Sequence, residues 1–328
     1  MIQKKQKLNP KLFTKDIEQM PIRKGFGEGL LAAGADKKVV GLCADLTDST
    51  QMNLFKEKYP ERFFELGVAE QNLASVASGM ARMGKIPFIT SYAMFSPGRN
   101  WEQIRTTIAY NDVPVKIAGS HAGVSVGPDG GTHQAIEDIA LTRIIPRMVV
   151  ISPCDAIEAK KATIAAAQTT TPVYIRLARD KSPIITTDLS PFEIGKAQIL
   201  YRPEKIDVAI IATGALVYRA LAVADRLNPE IRVAVVNLST IKPLDTATLE
   251  EIGREARAVV TVEEHQMAGG MGSAVAEYYA QNIPLPIEFV GVHDEFGQSG
   301  TPDELIEHYG MGEKDIEKAV SKVLLRKK

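Results

Sequence analysis

The sequence predicts an α/β protein built of two doubly wound domains, and three observations predict it. Short Val- and Ile-rich runs alternate with helix-periodic segments along nearly the whole chain, as in parallel sheets covered by helices. From about Asp180 to Ile206 that alternation breaks into DKSPIITTDLSPFEIGKAQILYRPEK, which carries three prolines and no helical period, as an interdomain connection does. The length, 328 residues at 45% hydrophobic and 24% charged, supplies enough apolar side chains for two sizeable cores.

In the first unit, residues 1–190, a helical run follows Arg23, and KVVGLCADL (38–46) is the first buried strand. RFFELG is strand-like and leads into Glu70. PFITSYAMF (87–95), VPVKIAGS (113–120), MVVISP (148–153) and PVYIRLA (172–178) are further strands, continuous rather than alternating in hydrophobicity. Between them QNLASVASGMARMG, NWEQIRTTIAYND, THQAIEDIALTRII and DAIEAKKATIAAAQ space apolar residues by three and four, and the last opens on Asp155, suited to an N-cap. The second unit, 191–328, restarts with DVAIIATG, a helix over 215–228, IRVAVVNL, a helix near 245–256, AVVTVEE, a helix near 271–282, PIEFVGV and the helical, Lys-rich KDIEKAVSKVLLRKK. In such sheets, ligand contacts belong on the loops beyond the strand C-termini.

Composition excludes several classes. Thirty-nine Lys+Arg against 40 Asp+Glu leave a formal charge of −1, so no basic excess proposes nucleic acid and no polybasic tract a membrane surface. No run approaches the roughly 18 apolar residues of a span, and the N-terminal segment has no apolar signal-peptide core, so a cytoplasmic protein is expected. Cys43 and Cys154 lie far apart with no C-x-x-C, against a disulfide framework or a zinc site. No Walker A motif and no G-x-G-x-x-G spacing occur, which removes the main support for kinase, ATPase and simple dehydrogenase readings.

Few residues remain as candidates for chemistry. Glu70, in FFELGVAEQN, opens a helix, where the dipole favours a carboxylate. The helix-start role is the first reading; with Gly67 and Ala69 beside it and aromatic residues ending the next strand, an apolar niche suited to proton transfer is the alternative. The glycine-rich loop SHAGVSVGPDGGTHQ (120–134) holds two of the five histidines, His121 and His133, together with Asp129. Such a loop lets backbone approach a ligand and can move protons, although Asp129 can also be a turn residue capping the next helix. Arg23, Arg99, Arg105, Arg176 and Arg179 stand at segment edges, where arginine either grips an anion or faces water. Phe88, Tyr92 and Phe95 are either core or a stacking surface, and His265 with the glycines of EEHQMAGGMGSAVAE is a weak nucleotide signal.

Taken together, GLCADLTDS, ELGVAEQN, SYAMF, VGPDGGTHQ and TVEEHQMAGGMGSAVAE resemble the transketolase family of thiamine diphosphate enzymes, specifically its C-terminal half, in order and approximate spacing over essentially the entire chain. The resemblance implies a pyrimidine-binding domain over 1–190 and the family's smaller C-terminal domain over 191–328. By position, Glu70 is the acid that hydrogen-bonds the ring nitrogen of the cofactor's aminopyrimidine, Phe95 the ring that stacks on it with Tyr92 alongside, and Asp45 an acid near the cofactor. Arg23, Ser49, His121 and Arg179 match positions that grip a sugar phosphate, Asp129 one that contacts a substrate hydroxyl, and His133 one near the reacting oxygen. The resemblance thereby makes Glu70, His133 and His121 the catalytic candidates and assigns no metal ligand to this chain.

Two departures from the family pattern stand out. The familiar G-E-D-G-P-T-H-Q loop is GPDGGTHQ here, with Pro128 and Gly131 substituted. The G-D-G…N segment that binds magnesium and the diphosphate is missing. The resemblance therefore implies a split transketolase of carbohydrate metabolism and the pentose phosphate pathway. This chain would pair with an N-terminal subunit that supplies the Mg2+ site, as a dimer of heterodimers, and transfer a two-carbon ketol unit between sugar phosphates. The alternatives are the β subunit of a 2-oxo acid dehydrogenase, a 1-deoxyxylulose-5-phosphate synthase-like enzyme, and a non-catalytic scaffold subunit. Retention of Arg23, Ser49, His121 and Arg179 favours a sugar-phosphate substrate.

Overall fold

The computed structural model describes residues 1–327, so Lys328, the last residue of the expected C-terminal helix, lies outside the described residues. The strands Phe63–Glu65, Val39–Cys43, Ile86–Tyr92, Lys116–Ser120, Val173–Leu177 and Val149–Ile151 pair in that order, all parallel. Val39–Cys43, Lys116–Ser120 and Val173–Leu177 are buried at every residue, which is why they read as continuous rather than alternating. Strand order reverses direction between Val39–Cys43 and Ile86–Tyr92, so the C-terminal edge of the sheet opens a crevice there. A seventh strand, Thr240–Lys242, comes from the C-terminal half of the chain and joins this sheet antiparallel to Val149–Ile151. A second sheet orders Ile287–Val292, Val259–Gln266, Val208–Ala212, Val233–Asn237 and Gln198–Tyr201, with only the last strand antiparallel.

Helices cover both faces of the larger sheet. Ile22–Ala33 packs on Ala156–Ala167, whose Asp155 cap accepts from the Glu158 amide as expected. The two axes approach so closely that a Cβ on Gly25 would stand 1.8 Å from the Ala156 carbonyl oxygen, and one on Gly29 2.7 Å from that of Lys160. Glycine lowers helix propensity, so the run after Arg23 is faint in sequence, but absence of side chains is what this contact requires. On the opposite face Glu70–Arg82 contributes Leu73, Ala74, Ala77 and Ala81 to the core that also holds Ile104 and Ile108.

Several expectations need correcting. The segment 132–145 is helical only over Asp138–Arg143, because its first part closes the glycine-rich loop with a bridge between Ala122 and Ala135. The segment 100–112 is a short α-turn, Trp101–Gln103, followed by a π-helix, Ile104–Ala109. The connection read as irregular contains Lys181–Pro183, paired with Gln19–Pro21, and Gln198–Tyr201, the edge of the second sheet. The short helices Asn53–Lys58 and Pro302–His308, the latter with a Thr301/Glu304 capping box, carry too few residues to show a period. Both cysteines are free and buried, and no helix among the described residues is long and apolar enough to cross a membrane.

The Gly25 contact gives a direct test. Gly25→Ala should lower stability by about 1–3 kcal/mol through overpacking, measured as a reduced urea midpoint with unchanged slope. An unchanged midpoint would contradict the close approach of the two helices.

Candidate active site

The loops that follow five neighbouring strands meet at the C-terminal edge of the larger sheet. Glu70 follows Phe63–Glu65, starts its helix at the first position and is 1% exposed. It is a helix-start carboxylate in a polar setting rather than the alternative apolar niche: Ser91 donates to Oε1 at 3.0 Å, and Arg99 pairs with Oε2 at 2.6 Å. Buried Asn100 donates to the Glu70 carbonyl at 2.9 Å, which fixes the start of the helix against the turn after Tyr92. Burying a carboxylate is costly unless its oxygens find donors, and Ser91 and Arg99 meet that requirement. Ser91 and Asn100 are positioning residues that sequence reasoning missed. The alternation along ITSY puts Ser91 on the face opposite Tyr92, which is the signal that could have found it.

The aromatic set divides. Phe88 is fully buried and packs near Phe26, whereas Tyr92 and Phe95 stand at the strand end and are only half-buried. Tyr92 stacks on the His121 imidazole at 3.8 Å and lies nearly parallel to Phe95 at 6.2 Å. His133 meets the edges of Phe95 at 5.4 Å and Tyr92 at 6.1 Å. One cluster thus joins Glu70, through Arg99 over the Phe95 face, to Tyr92, His121 and His133.

The anion-gripping candidates sit beside it. Arg23, the second residue of its helix, donates to the carbonyls of Arg179 at 3.2 Å and Ser49, and Arg179 donates to the Val126 carbonyl at 2.8 Å. Ser49 therefore meets Arg23 through its backbone. Burial, then the charge of Arg179, lowers the proton affinity of Arg23, as expected where two cations share a partly dry site. Burial pushes the His121 imidazole down to about 3, helped by Arg23, Arg179 and His133, so it is neutral at physiological pH. Its Nδ1 is in contact with the Ser120 hydroxyl at 2.9 Å, and its positive φ of 57° marks a tightly specified turn. Asp45 and Asp129 are not drawn in: both are exposed, and neither carboxylate makes a hydrogen bond among the described residues. Asp129 does not cap the next helix, whose N-cap is Glu137. Arg105 is likewise exposed.

The second sheet holds this site from behind. Glu264, at 4% exposure, accepts from the Ser125 amide at 2.6 Å inside the glycine-rich loop, and a Cβ on Gly123 would strike its carboxylate. Arg176 pairs with Asp138 at 2.9 Å and donates to the Glu264 carbonyl at 2.7 Å. It is a buried tie and does not face a ligand. The nucleotide signal dissolves for a physical reason: the glycine-flanked helix start donates its Met271 and Gly272 amides to the Glu263 carboxylate at 2.6 and 2.7 Å. A protein carboxylate fills the place a phosphate would need. His265 is fully buried, with Nδ1 at 2.7 Å from the Gln266 carbonyl. Among the described residues no group of three or more His, Cys, Asp or Glu side chains is placed to hold a metal ion.

The family model for the transketolase pyrimidine-binding domain matches residues 18–184, and that for the transketolase C-terminal domain matches 195–316. The chain belongs to the transketolase family. A transketolase C-terminal section from Methanocaldococcus jannaschii is 44% identical, covering 91% of this chain and 95% of that protein. A 6-deoxy-6-sulfo-D-fructose transketolase subunit from a Clostridium species is 38% identical over 96% of this chain and 98% of its own length. A solved split-gene transketolase, described as an inactive β4 tetramer, superposes with a TM-score of 0.87 at 43% identity. That match covers 94% of this chain and all of the other. The two doubly wound domains are thus the pyrimidine-binding and C-terminal domains of a transketolase, a family of thiamine diphosphate enzymes.

The neutral His121 makes a pH prediction for this transketolase-family chain. Its folded value, about 3, lies below the ordinary 6.5, so the unfolded chain takes up a proton first as pH falls. The stability linked to this group is complete above 6.5 and is lost as pH drops towards 3. His121→Gln should flatten the fall in urea midpoint across that window. An equally steep fall in the variant would show that His121 is not held neutral.

Proposed function

We propose that this chain is the C-terminal subunit of a split, thiamine diphosphate-dependent transketolase that moves a two-carbon ketol unit from a ketose phosphate to an aldose phosphate. The observation that carries the reading is the buried Glu70 carboxylate lying in one cluster with the Phe95 and Tyr92 rings and the His121 and His133 imidazoles. A carboxylate beside an aromatic face suits the ring nitrogen and flat face of an aminopyrimidine, so the residues present fit the cofactor. Thiamine diphosphate, when bound, supplies the carbanion chemistry, and the protein supplies position and charge.

In this reading Glu70 hydrogen-bonds the ring nitrogen and Ser91 holds its other oxygen in place. Phe95 and Tyr92 line the ring's face, with Asp45 near the cofactor. Arg23 and Arg179, with His121 and Ser49, bind the phosphate end of the sugar; their mutual crowding is relieved by a dianion. Asp129 contacts a substrate hydroxyl. His133 moves a proton at the reacting oxygen, and neutral His121, with Nδ1 engaged by Ser120, offers Nε2 to the substrate. The cofactor's diphosphate and Mg2+ fall to an N-terminal subunit in a dimer of heterodimers. That part rests on relatives of the same extent described as a C-terminal section and a split-gene chain.

With the N-terminal subunit, thiamine diphosphate and magnesium present, Glu70→Ala should lower ketol transfer at least about 100-fold. Unchanged turnover would remove Glu70 from its role, and decarboxylation of pyruvate without ketol transfer by the unaltered complex would point to a 2-oxo acid enzyme instead.

A further inference from the structure

We infer that Arg99 is a built-in occupant of the ring site, so that the cofactor's ring binds this chain only by displacing it. The inference rests on the reading of Glu70 and Phe95 as the residues that hold the ring. Both places that a planar heterocycle would need are taken by one guanidinium. Its carbon lies 4.7 Å from the centroid of the Phe95 ring, and its Nη1 donates to Glu70 Oε2 at 2.6 Å. A guanidinium is flat, carries its donors in the plane and stacks on aromatic faces, so it can fill the space of a planar ring seated against a carboxylate and an aromatic face.

The local chain explains how Arg99 can both fill the site and leave it. The Arg99 amide donates to the Phe95 carbonyl at 3.0 Å, and this i, i+4 turn sets the two side chains side by side. Asn100, the next residue, is fully buried and bonded to the Glu70 carbonyl and to the Ser96 hydroxyl at 2.9 and 3.2 Å, so the backbone under Arg99 is anchored. The Arg99 side chain itself is 46% exposed and makes no other ion pair among the described residues. Ser91 keeps Oε1 in either state, so the exchange concerns Oε2 alone. The arginine of this pair is half in water, so the pair is screened in part by salt and Arg99 can return to solvent when a ring takes its place. Closure lowers the apparent affinity for the ring by the fraction of time the site is open. A subunit that holds only the ring then gains too little to open it. Contacts to the rest of the cofactor, made across a partner, supply the difference.

The test uses the full-length chain by itself and thiamine, which presents the ring without the diphosphate, followed by calorimetry. Arg99→Met should bind thiamine about tenfold more tightly than the unaltered chain, with Arg99→Lys between them because it keeps the charge but not the plane. Raising salt from roughly 50 to 500 mM should tighten binding to the unaltered chain and leave it unchanged or weaker in Arg99→Met. This arm needs no variant to fold, and a merely structural role would not reverse the sign. Equal or weaker binding to Arg99→Met, no measurable binding to any of the three, or salt that weakens binding to the unaltered chain, would overturn the inference. Adding Phe95→Leu to Arg99→Met separates the two readings. If that addition leaves thiamine affinity unchanged, the ring site itself is misplaced. If it removes binding while Arg99→Met alone gains none, only the role of Arg99 falls.

Discussion

The guanidinium of Arg176 stands where the two sheets and the loop that carries both site histidines meet, and the rest of the arrangement depends on it. It leaves the strand Val173–Leu177 in the first sheet, pairs with Asp138 at the start of the helix after the loop, and donates to the Ala135 and Glu264 carbonyls. Asp138 also accepts from the Tyr174 hydroxyl at 2.6 Å, and Glu264 sends its carboxylate back to the Ser125 amide. Loss of one member of such a pair strands the other charge out of water, at a cost of roughly 3–5 kcal/mol. Breaking this knot would loosen 120–134 from the second sheet, because Glu264 holds the Ser125 amide and Arg176 the Ala135 carbonyl.

That rigidity has a chemical consequence. With the loop clamped from the C-terminal side, His121 is held against Tyr92 and near two arginines, in surroundings that keep it neutral. A neutral imidazole leaves the positive charge of this corner to the two guanidiniums. The C-terminal domain thus braces this loop from behind: its Glu264 accepts from the Ser125 amide, and its Thr240–Lys242 strand extends the first sheet.

Much of this was legible in the sequence, for identifiable reasons. Runs such as VVGLC and VYIRL are buried on both faces, so composition alone marks them as parallel strands. Glu70, Tyr92, Phe95, His121 and His133 stood out as candidates because loops after strand ends are few, and the structure brings the five together. Context-dependent features were not legible. Phe88 and Phe95 look alike in sequence, and only tertiary packing separates core from cleft. Arg176 and Arg179 are three residues apart at one strand end, yet one is a buried tie and the other faces the site. Arg99 reaches Glu70 across a separation that no local pattern encodes. The glycines of 269–272 suggested a phosphate, because a short motif cannot say that Glu263 has already taken the helix start.

On the proposed reading the carboxylate–aromatic cluster takes the cofactor's ring and the arginine corner an anion, and the central claim is that a second chain completes the site. The most direct measurement is ketol transfer as a function of added N-terminal subunit, at fixed chain, saturating thiamine diphosphate and magnesium. The account predicts no turnover from this chain alone, and activity that rises with the partner and levels off at one-to-one. Full turnover by the chain alone, or activity that ignores the partner, would contradict it.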